Sequence, residues 1–144
     1  MKLEAYQTLH CDAGWRRFSF LKLIAEDGTT GISEYNECYG SPGLTGVIEG
    51  VLEWIIGKNP FSHEKLSAEL YARTRQVHGG IAQQAIAAVE NALVDLKARS
   101  LGVPVYELLG GSGPGRTSSL LVTLWKLPVA PNRGDARCST ADLP

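Results

Sequence analysis

The segment IAQQAIAAVENALVDLKARS (residues 81–100) constrains the fold more than any other part of the chain. Ile81, Ala85, Ala88, Ala92 and Leu96 recur at helical steps, and Val89 and Leu93 widen the stripe. Such a period marks one face of an amphipathic α-helix, here running from about Ile81 to about Ser100. Alanines on that face let a second helix or a sheet approach closely, so the helix must have a close neighbour. Leu101-Gly102 ends it, and Pro104 prevents its continuation. PVYELLGG then makes one short helical turn, with Pro104 at its first position and Gly110-Gly111 as the stop.

The neighbour is foreshadowed upstream. KLEAYQTLH reads as a strand with Leu3, Ala5 and Leu9 on one face and Glu4 on the other. Asp12 and Gly14 are turn residues. RFSFLKLIAEDG is a second strand, with Phe18, Phe20, Lys22 and Ile24 on one face and Leu21 and Leu23 on the other. Asp27-Gly28 is a hairpin signal, and GISEYNE is the returning strand. A three-stranded antiparallel meander is too small to stand alone, so other elements must cover one face.

CYGSPGLTG then forms a loop. LTGVIEGVLEWIIGKNP carries Val47, Val51, Trp54 and Ile55 at helical spacing, with Thr45 as the expected N-cap, Gly57 as the C-cap and Pro60 at the exit. SHEKLSAELYARTRQ opens with Ser62 and places Leu66 and Leu70 on one face, with Glu64 suited to the helix dipole. The expected fold class is α+β: a three-stranded antiparallel meander followed by a three-to-four-helix bundle. Beyond Gly110 the pattern fades. LLVTLW reads as one short strand, and the proline-bearing end KLPVAPNRGDARCSTADLP has no helical or strand period.

Composition excludes several partners. Fourteen basic against fifteen acidic residues give a net charge of −1. That balance leaves no electrostatic footprint for nucleic acid or an anionic membrane surface. No apolar run approaches the roughly 20 residues of a membrane span, and the N-terminus has no signal-peptide block. A cytoplasmic location is the expectation. Cys11, Cys38 and Cys138 are far apart and odd in number, which argues for reduced thiols and against a zinc site.

The order of elements, closed by GIAQQAIAAVENALVDLKARSLGVPVYELLGG, resembles the N-terminal capping domain of the enolase superfamily, in its mandelate racemase/muconate lactonising branch. Gly80, Ala85, Ala88, Glu90, Ala92, Leu93, Asp95, Lys97, Gly102, Pro104, Tyr106, Leu108, Leu109, Gly110 and Gly111 carry the resemblance. GWRRFSFLKLIAEDGTTGISE and IIGKNPFSHEKLSAELY echo the same family. It covers residues 1–116; residues 117–144 are expected to be an irregular tail, whether out of frame, a remnant of a barrel or a naturally divergent end. The resemblance implies a second domain, a modified TIM barrel that abstracts a proton alpha to a carboxylate with Mg²⁺. It implies an acid-sugar dehydratase, racemase or cycloisomerase as the parent enzyme. The base of such an enzyme is usually a lysine of Lys-x-Lys or a histidine held by an aspartate. Here no two of the lysines form Lys-x-Lys, and His10, His63 and His78 all precede the barrel position. The chain is therefore expected to hold no catalytic residue, metal or cofactor of its own and to be inactive alone. Its expected partner is the absent C-terminal barrel. Translating the gene in its other frames beyond Arg116 tests whether a frameshift removed it.

By position, the resemblance makes two loops candidates for substrate selection and water exclusion: about His10 to Arg17, and about Tyr35 to Leu44. Trp15 and Arg16 are candidate contacts to an acid sugar in the parent enzyme, the indole for packing and the guanidinium for carboxylate or hydroxyl groups. Tyr39 is the third candidate, on the second loop. His10, Glu34 and Glu37 are weighed as proton-transfer groups and read instead as structural or solvated. Glu90 lies away from the centre of the helix stripe, and Asp95 at its rim suits a solvated charge or a bond to a neighbouring loop. Two other functions stand beside the capping role. One is an interaction module that self-associates through exposed apolar surface; the other is a small-molecule binding domain that uses the Trp15 loop.

Overall fold

The computed structural model describes residues 1–37, 41–77 and 79–111. Strands β1 (Leu3–Asp12), β2 (Arg17–Ala25) and β3 (Thr30–Tyr35) form one antiparallel sheet in the order β1-β2-β3. Helices α1 (Leu44–Leu52), α2 (His63–Arg73), α3 (Gly80–Leu101) and α4 (Val105–Leu108) follow, with a 3₁₀ turn at Pro60–Ser62. The fold is therefore α+β, a meander followed by helices. LLVTLW and the tail lie outside the described residues, as do Cys38, Tyr39, His78 and Cys138.

The two hairpins form where their turn residues stand. Gly14 and Gly28 both have φ of 82°. Asp12 accepts from the Gly14 amide at 2.8 Å, and Asp27 accepts from the Thr29 amide at 3.0 Å. These short side-chain bonds pre-set the turns.

Strand β1 departs from the expected alternation. Leu3 pairs with Ala25, yet Ala5 pairs with Ile24, so Glu4 is an extra residue in a β-bulge. A bulge reverses which residues face the core beyond it. Leu3 is buried with the inner face, while Ala5 and Leu9 sit opposite Ile24 and Phe20 on the outer face. Tyr6, Thr8 and His10 take the inner side instead, opposite Leu23, Leu21 and Ser19.

The inner face is the covered one. Leu21, Leu23, Leu44, Ile48, Leu52, Ile55, Leu66, Leu70, Ile86, Val89, Leu93 and Leu96 close one core between sheet and helices. Each fully buried aliphatic side chain there stabilises the fold by roughly 1.5–3 kcal/mol. Phe18, Phe20, Ile24 and Ile32 on the other face are only half-buried.

Helix α3 is built to lie on β3. Ala85, Ala88 and Ala92 are buried, and Ala82 and Ile86 extend the stripe, whereas Ile81 is half-buried. Gly31 of β3 faces it. A Cβ at Gly31 would stand 2.5 Å from Leu96 Cβ and 2.6 Å from Leu96 N, and nearer still to the Ala92 carbonyl oxygen. The alanine stripe and Gly31 are thus two halves of one close contact. Asp95 completes it by accepting from the Ile32 amide at 2.7 Å, while Arg99 donates to the same carboxylate at 2.8 Å. One amide on the free edge of β3 is thereby closed by a helix side chain, a way of blunting an exposed strand edge.

Helix ends differ in places from the expected caps. The N-cap of α1 is Gly43, with φ of 82°, not Thr45. Helix α1 stops at Leu52, so Trp54 and Ile55 lie in the turn that follows, and Val47 is only half-buried. Gly57 ends that turn rather than the helix, and its amide donates to Leu3 O at 2.8 Å. Ser62 occupies the N-cap of α2 without a side-chain cap bond. At the end of α3, Gly102 is left-handed and Val103 N donates to Ala98 O at 3.0 Å, a Schellman closure. Pro104 is the N-cap of α4 rather than its first residue. Gly111 N donates to Tyr106 O at 2.9 Å, so the Gly-Gly stop closes α4 in the same manner.

Candidate functional site

One end of the sheet gathers the polar side chains. The β1–β2 hairpin tip and the start of the segment after β3 both reach it. On the outer side, Trp15 is 79% exposed and stands edge-on to Phe18 at 5.8 Å between centroids. Arg16 donates to Glu34 at 2.7 Å and lies 4.6 Å over the Phe18 ring. This ion pair is solvated, so it is worth about 1 kcal/mol or less. A ligand carboxylate could displace Glu34 from Arg16 at small cost.

On the inner side a chain of hydrogen bonds and one ring contact runs from β1 to α1. His10 Nδ1 and Ser19 Oγ are 3.0 Å apart, and the His10 ring meets Tyr35 edge-on at 6.4 Å. Tyr35 Oη and Thr45 Oγ1 are 2.8 Å apart. Thr45 donates to Glu37, whose other oxygen accepts from the Gly43 amide at 3.0 Å. Glu37 therefore satisfies the start of α1 from outside the helix, the role expected of Thr45. These bonds, that from Thr45 first, hold the Glu37 carboxyl below its ordinary range. Burial pushes the Tyr35 phenol up. Ser41 donates to Gln84 at 2.6 Å and ties the segment before α1 to α3.

A cleft of about 220 Å³ opens here, lined by Arg17, Ser19, Glu37, Pro42 and Gly43. It is smaller than the pocket of a typical small-molecule site, and it presents one cation, one carboxylate and one hydroxyl. Such a set can hold one end of a polar ligand.

The sequence candidates divide between the two sides. Trp15 and Arg16 lie against Phe18 on the outer side. Tyr39 lies outside the described residues. Glu34 and Glu37 are not a pair, because Arg16 holds one and the start of α1 holds the other. Ser19 went unremarked in the sequence, although its place two residues before Leu21 puts it on the inner face. Ser41 and Gln84 carried no signal at all, since the contact joins residues far apart in the chain. Among the described residues, no three His, Cys, Asp or Glu side chains come together as a metal site. The engaged state of Glu34 and Glu37 leaves this end a poor fit for Mg²⁺, which asks for several oxygen ligands in octahedral array.

The model of the mandelate racemase/muconate lactonizing enzyme N-terminal domain matches residues 6–110. The chain belongs to this family. A D-galactonate dehydratase of Xanthomonas euvesicatoria pv. vesicatoria is 34% identical over 118 residues, covering 77% of this chain. The chain spans only 28% of that enzyme's length. A solved structure of a candidate L-alanine-DL-glutamate epimerase from Burkholderia xenovorans strain LB400 superposes with a TM-score of 0.77 at 46% identity, covering 79% of this chain and 29% of the other. A second structure under that description, bound to magnesium and fumarate, gives 0.74 at 48% identity over 76% of this chain and 27% of the other. Within this mandelate racemase/muconate lactonizing enzyme domain family, then, acid-sugar dehydratases and epimerases are the relatives. Among the described residues no helix is long and apolar enough to cross a membrane.

Proposed function

We propose that this chain is a capping domain, a lid that selects substrate over the mouth of a barrel carrying the chemistry. The whole enzyme would be of the mandelate racemase/muconate lactonizing type, removing a proton alpha to a carboxylate in an acid sugar as a dehydratase, racemase or cycloisomerase. The magnesium of that chemistry belongs to the barrel, as do the base and the reacting atoms. The chain alone performs no turnover.

The observation that carries this reading is the apolar surface at the exit of the family domain. Leu101 at the end of α3 is 51% exposed, Tyr106 in α4 47% and Leu109 just after it 73%. The family match ends at residue 110, beside them. Large exposed apolar residues close together in the chain suit a protein contact, and the relatives' further length supplies the domain for it. In that assembly Trp15, Arg16 and Tyr39 are the residues offered to substrate.

The test is complementation in trans. The barrel of the Xanthomonas dehydratase, made without its own cap, is mixed with this chain and the complex is followed by analytical ultracentrifugation. Binding is expected, and Leu109→Asp should weaken it at least about tenfold, the loss of one apolar anchor. A chain that ignores the barrel, or a Leu109→Asp variant that binds as the parent does, contradicts the proposal.

A further inference from the structure

The outer side of the β1–β2 hairpin is built to hold three chemically different groups in place. The Ala13 amide donates to Arg16 O at 3.0 Å, which leaves Gly14 and Trp15 as the two tip residues. Gly14 takes φ of 82°, open to glycine at no steric cost, and Asp12 holds its amide at 2.8 Å. This fixed tip carries the exposed Trp15 indole, steadied edge-on by Phe18 at 5.8 Å. The Arg16 guanidinium lies 4.6 Å over the same Phe18 ring and donates through Nη2 to Glu34 Oε1 at 2.7 Å. Glu34 comes from β3, where it stands opposite Phe20 of β2. Indole and guanidinium thus share one ring, and a carboxylate adjoins the guanidinium. The result is an apolar surface, a charged donor and a charged acceptor side by side.

We infer that Glu34 is a specificity residue, and that the Arg16–Glu34 pair reads two neighbouring hydroxyls of a polyol chain rather than a carboxylate. The inference rests on the capping reading for placing that chain in a substrate; it names the part of an acid sugar that this side of the lid takes. The pair engages one N–H of the guanidinium fork and one carboxylate oxygen, and both groups have further bonding capacity. A hydroxyl donates and accepts at once. One hydroxyl accepts from Arg16 while its neighbour donates to Glu34. The 2.7 Å between Nη2 and Oε1 is close to the spacing of the two oxygens in a gauche vicinal diol. The C–H groups of the chain then lie against the indole, which adds an apolar contact. A carboxylate meets different terms, since it must either face the Glu34 charge or displace Glu34 from Arg16. A diol does neither. Glu34 therefore sets what Arg16 prefers: with it, a neutral hydroxylated segment; without it, an anion.

The test uses the full chain labelled with nitrogen-15 and two probes, sorbitol as a neutral polyol and butyrate as a carboxylate without hydroxyls. Each is titrated to about 0.2 M, because so open a site binds in the millimolar range. Sorbitol should move the Trp15 indole N–H and the Arg16 Nε–H resonances saturably, and butyrate should bind at least about fivefold more weakly. Glu34→Gln should reverse the order: sorbitol weakens at least about fivefold, while butyrate tightens as Arg16 loses its internal anion. Glu34 is exposed, so the variant keeps the fold, which its unchanged amide spectrum away from the hairpin verifies. A residue that merely braced the hairpin would weaken both probes or neither. No sorbitol shift in the parent overturns the inference, as does a Glu34→Gln protein with the parent's order of preference. Barrel binding without sorbitol shifts overturns this inference and spares the capping reading; sorbitol shifts without barrel binding do the opposite.

Discussion

Gly31→Ala probes the contact on which the fold is built. The added methyl would lie 2.5 Å from Leu96 Cβ and 2.6 Å from Leu96 N, and closer to the Ala92 carbonyl oxygen. Ordinary carbon contacts stand about 3.5–4.0 Å apart, so the helix and strand must part by about an ångström. Two of these three neighbours are backbone of α3, and no side-chain rotamer can relieve them. The retreat would also stretch the 2.7 Å bond from the Ile32 amide to Asp95. Overpacking of a core typically destabilises by about 1–3 kcal/mol, and loss of the charged hydrogen bond adds about 1.5 kcal/mol. Against this, alanine restricts the unfolded chain and returns about 0.4–1 kcal/mol. The net expectation is a loss of about 3 kcal/mol, read as a lower urea midpoint by circular dichroism at unchanged m value. Thermal unfolding should fall by about 12–20 °C for a domain of this size. A Gly31→Ala protein as stable as the parent, to within about 0.5 kcal/mol, would refute the account of why α3 sits where it does.

Other substitutions separate the roles of the remaining residues. Asp95→Asn should destabilise by about 1–2 kcal/mol through the Ile32 amide and Arg99, measured by the same denaturation. Trp15→Ala should leave stability within about 0.5 kcal/mol, because the indole is 79% exposed, yet weaken acid-sugar affinity in the barrel-bound complex. Glu37 ties its charge to Thr45 and Gly43, and its folded-state pKa is lowered. Its contribution is therefore fully present above the ordinary glutamate range and is lost as pH falls through the lowered value. Glu37→Gln should be less stable than the parent near neutrality, and the difference should vanish in acid titrations followed by thermal melts.

Much of the architecture was legible because local signals and the global fold agree. Asp27-Gly28 announced the second hairpin, and the alanine face announced a close neighbour. What a period cannot show is an inserted residue. The bulge at Glu4 moved Ala5 and Leu9 off the face that Leu3 occupies, and no turn residue marked it. Caps were misread for a related reason. Thr45 has the chemistry of an N-cap, but Glu37, eight residues earlier, already satisfies the helix start, and Thr45 donates to it. Asp95 looked like a rim charge because its partner is a strand amide 63 residues away. The candidate site was readable as two loops and a few side chains. That Trp15 and Arg16 stand on one side of the sheet while the cleft opens on the other is decided by the pairing of β1 with β2.

The capping account is tested most directly by the chain's own chemistry. The purified protein is incubated with D-galactonate and Mg²⁺ in deuterium oxide, and proton magnetic resonance follows both loss of the alpha proton and appearance of dehydrated product. The account predicts neither, with the alpha-proton signal unchanged over days. Exchange or dehydration by this chain alone, abolished by removing Mg²⁺, would contradict it.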